Sequence, residues 1–205
     1  MMQLRPSLQA IADLVPEGSK VLDIGCGDGE LLKWLTKEKH VDGRGLELGQ
    51  SGVNACIAEG LAVVQGDADT DLQYYPSRAY DYVILSQTLQ TMRDPKEVLI
   101  NLVRIGHRAI VSVPNFGYWK NRLYLMFFGR MPVTKTLTYQ WYDTPNIHFC
   151  TLSDFVHLCN LMHIVIEKRV YTDDQGSLSC LKGKNIFANV LSDEGIFLLK
   201  EKLLL

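Results

Sequence analysis

The stretch Val21-Leu22-Asp23-Ile24-Gly25-Cys26-Gly27-Asp28-Gly29-Glu30 decides the fold of this chain. It begins with a short apolar run typical of a β-strand and continues through three closely spaced glycines. Leu31, Leu32 and Leu35 follow at the spacing of a helical face. Glycines at a strand-to-helix junction let the backbone turn sharply and come close to a ligand. The stretch therefore predicts a strand, a ligand-binding loop and a helix, in that order.

The rest of the chain alternates short apolar runs with helical stretches, which predicts an α/β fold built on a mostly parallel sheet. The predicted strands cover residues 20–24, 43–48, 61–65, 80–86, 108–113, 163–171 and 185–191. The signals for a helix start are strongest at Asp94-Pro95 and at Thr151. Turn residues but no helical pattern separate the last two strands, so these should form an antiparallel hairpin. We expect residues 1–205 to form one domain, with a seven-stranded sheet flanked by helices.

Two cofactor classes bind at a glycine loop of this kind, and the charges of the loop distinguish them. A dinucleotide-binding fold has the pattern GxGxxG, with the pyrophosphate at the helix N-terminus. Here the third glycine, at position 29, comes one residue early, and Asp23, Asp28 and Glu30 make the loop acidic. Carboxylates near a pyrophosphate would repel it by about 1 kcal/mol each when partly exposed. The loop therefore favours a ligand with positive charge and disfavours a dinucleotide-dependent oxidoreductase.

The DxGxGxG pattern of residues 23–29 resembles motif I of the class I S-adenosylmethionine-dependent methyltransferases. Their cofactor carries a sulfonium and an ammonium group, which suit an acidic pocket. The resemblance implies a Rossmann-like fold in which Glu47 accepts hydrogen bonds from the ribose hydroxyls. It also implies that Asp67 meets the adenine amino group and that Ser86-Gln87 lies beside the methionine moiety. The predicted binding residues for S-adenosylmethionine or S-adenosylhomocysteine are Asp23, Gly25, Cys26, Gly27, Glu47, Leu48, Gly66, Asp67, Ala68, Ser86 and Gln87.

The sequence identifies no catalytic base or nucleophile. After the fifth strand the chain reads Ser112-Val113-Pro114-Asn115, which differs from the Asn/Asp-Pro-Pro-Tyr motif of many amino-methylating enzymes. Methyl transfer can proceed by proximity and alignment alone. The catalytic residues therefore stay unassigned, and the sequence favours no particular methyl acceptor.

Residues 117–150 form an insertion after the fifth strand with an unusual composition. They hold nine of the 19 aromatic residues of the chain, and four basic residues against one acidic residue. The spacing of five residues there predicts the apolar face of a helix: Tyr118, Trp119, Leu123, Met126 and Phe127. Two interpretations stay open: extra core over the sheet edge or the pocket, or a lid or protein-binding surface. The candidate residues for a partner surface or a lid are Trp119, Arg122, Arg130, Trp141 and Tyr142.

The same region carries a second resemblance. Residues 114–119, 129–135 and 139–151 are similar to the MetW family of methionine biosynthesis proteins, above all in the run Trp141-Tyr142-Asp143-Thr144-Pro145-Asn146-Ile147-His148. Thr138 stands where the family is expected to have proline, so the resemblance does not extend to the rigidity that proline would give this loop. The resemblance implies an accessory protein that binds and activates homoserine O-acyltransferase in the first committed step toward methionine. The alternative is an active methyltransferase that acts on a small-molecule acceptor.

Composition and charge disfavour several other classes of protein. The net charge of −2 argues against a general nucleic-acid binder. The longest apolar stretch, residues 123–128, is far shorter than the ~20 residues that span a bilayer, and the N-terminus shows no signal peptide. Five cysteines, an odd number without a CxxC pair, indicate reduced thiols and no metal site. These features predict a cytoplasmic protein without membrane, nucleic-acid or metal partners.

Overall fold

The computed structural model describes residues 4–134, 136–173, 178–179 and 185–202, and within them one sheet of eight strands carries helices on both faces. The strands are β1 (Lys20–Ile24), β2 (Asp42–Glu47), β3 (Val63–Gln65), β4 (Tyr80–Ser86), β5 (Gly106–Pro114), β6 (Ile164–Thr172), β7 (Leu178–Ser179) and β8 (Glu194–Glu201). The helices are α1 (Pro6–Leu14), α2 (Glu30–Lys39), α3 (Gln50–Ala58), α4 (Ala68–Asp71), α5 (Pro95–Ile105), α6 (Trp119–Phe128), α7 (Leu152–Leu161) and α8 (Asn185–Leu191). Short 3-10 helices cover Leu72–Tyr74 and Leu89–Thr91.

The strands lie in the order β3-β2-β1-β4-β5-β8-β6-β7. Strands β1 to β5 are parallel to one another, and β8 is antiparallel to both β5 and β6. Strands β1 to β6 therefore run in one direction and end at the same edge of the sheet. The strand order reverses between β1 and β4, and ligands bind such sheets beyond the carboxyl ends of the strands at this point. The fold thus positions a binding site at the ends of β1, β2 and β4.

Two buried hydrophobic clusters, one on each face of the sheet, hold the layers together. On one face Ile11 of α1 belongs to the same cluster as Val21 of β1. On the other face Leu99 of α5 and Phe155 of α7 share a cluster with Leu22. Val21 and Leu22 are successive residues of one strand, so their side chains point to opposite faces. Burial on both faces fixes β1 firmly, and with it the glycine loop that follows.

The structure confirms the predicted fold class and the two strongest helix starts, and it adds an eighth strand, the two-residue β7, to the seven that were predicted. Asp94 accepts hydrogen bonds from the amides of Lys96 and Glu97 at the start of α5. Thr151 and Asp154 form a reciprocal capping box at the start of α7. Such caps satisfy backbone amides that have no partner inside the helix. These two helices therefore begin where the sequence predicts.

The predicted position of the last strand is wrong. Residues 185–191, predicted as a strand, form helix α8, and the last long strand is β8, which begins at Glu194. A short apolar run cannot be assigned to a strand or a helix by periodicity alone. The start of β8 could not be predicted from the sequence, because Asp193 and Glu194 are buried there and acidic residues are rarely buried. The antiparallel pairing of the last two long strands is confirmed, although α8 lies between them; residues 174–177 and 180–184 lie outside the described part.

Candidate functional site

A cavity of about 490 Å³ opens at the carboxyl edge of the sheet, where this fold is expected to bind a ligand. It lies among the ends of β1, β2 and β3 and the segment that follows β4. Six of the predicted binding residues line it: Gly25, Glu47, Leu48, Gly66, Asp67 and Ala68. Residues from three separate segments of the sequence therefore meet at one cavity.

Positive φ angles explain the glycines of the loop after β1. Gly25, Gly27 and Gly29 have φ values of +67°, +58° and +82°, a region that residues with a Cβ rarely adopt. A Cβ on Gly25 would also lie 3.0 Å from the side chain of Thr88, whereas a Cβ on Gly27 would meet no other atom within 4 Å. Gly27 is thus needed for the shape of the loop, and the space beside its Cα is open.

Glu47 is held in place by two backbone amides. Its Oε2 accepts a hydrogen bond from the amide of Gly27 and its Oε1 accepts one from the amide of Gly49, both at 2.8 Å. A carboxylate can accept about four hydrogen bonds, so Glu47 keeps acceptor capacity for the hydroxyl groups of a ligand. The same contacts join the glycine loop to the end of β2 and orient the carboxylate before any ligand binds.

Asp23 contributes a buried carboxyl next to the glycine loop. Burial, and to a lesser extent the charge of Glu47, raise the pKa of this carboxyl to about 7. Burial and the same two acids also raise the pKa of the Cys26 thiol well above its usual range. Negative charge disfavours further deprotonation in this region, and a nearby cation would favour it. This environment suits a ligand that carries a sulfonium or ammonium group.

An acidic turn after β3 forms another part of the cavity wall. Asp67 is the N-cap residue of α4, and its Oδ1 accepts a hydrogen bond from the amide of Asp69 at 2.9 Å. Asp69 in turn accepts hydrogen bonds from the amides of Arg93 and Asp94, at 3.0 and 3.3 Å. These contacts attach the turn to the segment after β4, so that the two parts of the wall form one unit.

Five predicted binding residues are not among those that line the cavity: Asp23, Cys26, Gly27, Ser86 and Gln87. The first three belong to β1 and to the glycine loop itself. The last two, at the end of β4, contact β5 instead. The hydroxyl of Ser86 lies 3.3 Å from that of Ser112, and the amide of Gln87 donates to the Ser112 hydroxyl at 3.0 Å.

Beside Ser86 and Gln87 lies a buried acid that sequence reasoning missed. Glu194, the first residue of β8, forms side-chain hydrogen bonds with Gln87 and Ser112. Burial is the main cause of the raised pKa of its carboxyl. Within the described part of the chain, its Oε1 has no hydrogen-bond partner. No sequence signal marked this residue, because the predicted last strand ended at residue 191.

The segment after β4 and one residue of the insertion complete the cavity wall. The sequence analysis did not select the lining residues of these two segments, Thr88, Thr91, Met92, Arg93 and Ile147, nor Asp69 of α4. The amides of Ile147 and His148 both donate to the carbonyl of Gln90, at 2.9 and 3.0 Å. The insertion therefore closes one side of the cavity. No local pattern could reveal this contact, because it joins segments far apart in the sequence.

None of the partner-or-lid candidates lines the cavity, and all are exposed: Trp119, Arg122, Arg130, Trp141 and Tyr142. The rings of Trp141 and Tyr142 pack edge to face, with centroids 5.7 Å apart. The guanidinium of Arg122 donates a hydrogen bond to the carbonyl of Gly117. Asn121 is the buried residue of α6, and the apolar side chains of the helix are exposed. The helix therefore does not serve as extra core for the sheet.

The cysteines and other metal-ligating side chains form no additional site in the described ranges. No group of three or more His, Cys, Asp or Glu side chains there could hold a metal ion. Cys26, Cys56, Cys150 and Cys159 are free thiols, and Cys180 lies outside the described residues. Among the same residues, no helix is both long and apolar enough to cross a membrane.

Solved structures identify the class of fold. A SAM-dependent methyltransferase of Thermotoga maritima, described as a possible histamine N-methyltransferase, matches with a TM-score of 0.70 at 18% identity, over 96% of this chain and 88% of that one. Phosphoethanolamine N-methyltransferase 2 of Haemonchus contortus, solved in complex with S-adenosyl-L-methionine, matches with a TM-score of 0.64 at 12% identity, over 96% of this chain and 52% of that one. The fold is that of the Rossmann-like class I S-adenosylmethionine-dependent methyltransferases.

Sequence comparison then identifies the family. The family described as methionine biosynthesis protein MetW matches residues 5–199. The chain is also 34% identical over 178 residues to the bifunctional methionine biosynthesis protein MetXA/MetW of Rhodopirellula baltica. That match covers 82% of this chain but only 29% of the relative's length. This chain belongs to the MetW family, which assigns it a role in methionine biosynthesis.

Proposed function

We propose that the chain binds S-adenosylmethionine or S-adenosylhomocysteine in the 490 Å³ cavity. The observation that carries the proposal is the Glu47 carboxylate, which the amides of Gly27 and Gly49 hold at the end of β2. The buried acid Asp23 supports a cationic ligand. In this proposal Glu47 binds the ribose and Asp67 the adenine amino group. Gly25, Leu48, Gly66 and Ala68 form the wall of the cavity. Cys26, Ser86 and Gln87 do not line it, and in this proposal they approach the methionine moiety only when the ligand is bound.

Replacing Glu47 tests this proposal. Glu47→Ala should weaken the binding of both ligands by about 1–3 kcal/mol, because two ribose hydroxyls lose a charged acceptor. Isothermal titration calorimetry measures the affinities, and Glu38→Ala, at an exposed acid of α2, is the matched control. Unchanged affinity in Glu47→Ala, or the absence of binding to folded wild-type protein, would contradict the proposal.

We also propose that the chain associates with homoserine O-acyltransferase in the cytoplasm and activates it. The support is the MetXA/MetW relative, in which a region similar to this chain is part of a longer bifunctional protein. Covalent linkage keeps two domains at a high effective concentration, which suits domains that act together. The test is co-expression with the acyltransferase encoded in the same genome, followed by measurement of homoserine acylation with and without this chain. An equal rate without co-purification would contradict the proposal.

An active methyltransferase with a small-molecule acceptor is the alternative function. A second cavity of about 330 Å³, lined by the apolar residues Leu89, Val113, Phe155 and Leu158, favours it. The 3-10 helix Leu89–Thr91 contributes to both cavities, since Thr91 lines the larger one and Leu89 the smaller one. Transfer of a labelled methyl group from S-adenosylmethionine to a small-molecule extract tests this function. Label that stays entirely in the cofactor would count against it.

A further inference from the structure

Helix α6 presents an apolar surface that the described structure leaves uncovered. Six of its ten residues are apolar or aromatic and exposed in an unbroken run: Leu123, Tyr124, Leu125, Met126, Phe127 and Phe128. Successive residues lie about 100° apart around a helix axis, so the four residues 125–128 surround the helix. A helix that is apolar on all sides is normally buried. The second half of α6 therefore requires a partner that encloses it.

The start of α6 is fixed to the body of the protein. Tyr118, predicted on the apolar face of the helix, is instead its buried N-cap residue. The side-chain amide of Asn121 is buried and donates to the carbonyl of Asn115, just after β5. Exposure then rises from 39% at Trp119 to 72% at Phe127. The helix is thus anchored at its first turn, and its apolar end projects from the molecule.

The insertion divides into two parts with different contacts. The part around Ile147 closes the large cavity through the carbonyl of Gln90. No residue of α6 lines that cavity or the smaller apolar one. The segment near Ile147 is therefore the part of the insertion that covers the cavity, and the apolar surface of α6 must contact something else.

We propose that α6 is the docking helix for homoserine O-acyltransferase and that it inserts into a groove of that enzyme. This inference rests on the proposed association of the two proteins. The bifunctional relative argues for this occupant, because the part similar to this chain fills only 29% of a protein whose other named component is MetXA. An apolar helix that binds in a groove is a common mode of recognition. Lys120, Arg122 and Arg130 flank the apolar run, so the groove should have an acidic rim.

The test compares Met126→Ser and Phe127→Ser with two controls of similar exposure. Met126 and Phe127 are 65% and 72% exposed; the controls are Leu161→Ser on α7, at 64%, and Tyr74→Ser, at 79%. Surface plasmon resonance measures binding to the purified acyltransferase, and initial rates measure activation. Each α6 variant should bind at least tenfold more weakly, and the double variant should not activate. The controls should behave as wild type, and all melting temperatures should be close to that of wild type.

The outcomes separate this inference from the function on which it rests. If the wild-type chain does not bind the acyltransferase, the proposed association fails and the docking role fails with it. If the wild-type chain binds and both α6 variants bind equally well, only the docking role fails. A wild-type dimer in analytical ultracentrifugation that the α6 variants convert to monomer would assign α6 to a second copy of the chain. Binding to anionic phospholipid vesicles that the variants abolish would assign it to a membrane surface; either result would overturn the inference.

Discussion

The raised pKa of Asp23 predicts that ligand affinity changes steeply between pH 6 and pH 8. This carboxyl titrates at about 7 in the free protein because of its burial and the charge of Glu47. A bound sulfonium or ammonium group would stabilise the carboxylate and lower its pKa, so that binding displaces a proton wherever Asp23 holds one. At pH 6 roughly nine in ten Asp23 groups are protonated, which should weaken S-adenosylmethionine binding by at most about tenfold, or ~1.4 kcal/mol, relative to pH 8.

Calorimetry in buffers with different heats of ionisation counts these protons. Binding should release up to about 0.9 proton per site from Asp23 at pH 6 and at most about 0.1 at pH 8. Asp23→Asn should bind more weakly at pH 8 and lose this pH dependence. Titration of the ligand's own ammonium group occurs with both proteins and cancels in the comparison. Identical pH profiles for wild type and a folded Asp23→Asn variant would refute the reasoning.

Three further predictions concern the stability of the protein and the shape of the glycine loop. Asp23→Asn should stabilise the protein at pH 8 by at most about 4 kcal/mol and hardly at all at pH 3. The raised folded-state pKa of Asp23 gives the wild type its full stability below pH ~4, and this contribution is lost as the pH rises through about 7. Denaturant unfolding at both pH values checks the sign. Gly27→Val should abolish cofactor binding in calorimetry without unfolding the protein, whereas Gly18→Val, at φ +70° and also with no atom within 4 Å of its Cβ, should bind normally. Asn115→Ala should lower the free energy of unfolding in urea by about 3 kcal/mol, because the buried side chain of Asn115 forms hydrogen bonds with four backbone groups. The control Asn54→Ala, at an exposed position, should change this free energy by less than about 0.5 kcal/mol. Equal losses in the two variants would show that burial is not the cause.

Features that depend on a few neighbouring residues could be predicted from the sequence, and those that depend on the path of the chain could not. The caps at Asp94 and Thr151 follow from local hydrogen bonding. Glu47 was selected through the resemblance to the methyltransferases, which have an acid near the end of the second strand. Ile147 reaches the cavity only because the insertion folds back onto Gln90. Such a contact is decided by tertiary packing and leaves no pattern in either segment.

The insertion shows a second limit of sequence reasoning. Apolar spacing correctly predicted a helix that includes Leu123, Met126 and Phe127. The same spacing was compatible with a face packed on the sheet, but these side chains are exposed. Periodicity shows that a face must be covered and does not show whether the chain itself or another molecule covers it.

The place of β8 in the sheet imposes an order on folding. This strand follows β5 and β6 in the chain but lies between them, where Leu199 pairs with Ala109 on one side and with Ile166 on the other. Closing contacts between residues so far apart in sequence is slow. During synthesis the edge of β5 stays unpaired until residues 194–201 have left the ribosome, and an open strand edge invites pairing with other chains. The ligand-binding half of the sheet, β1 to β5, can therefore assemble first, while β6 must wait for β8 before it joins.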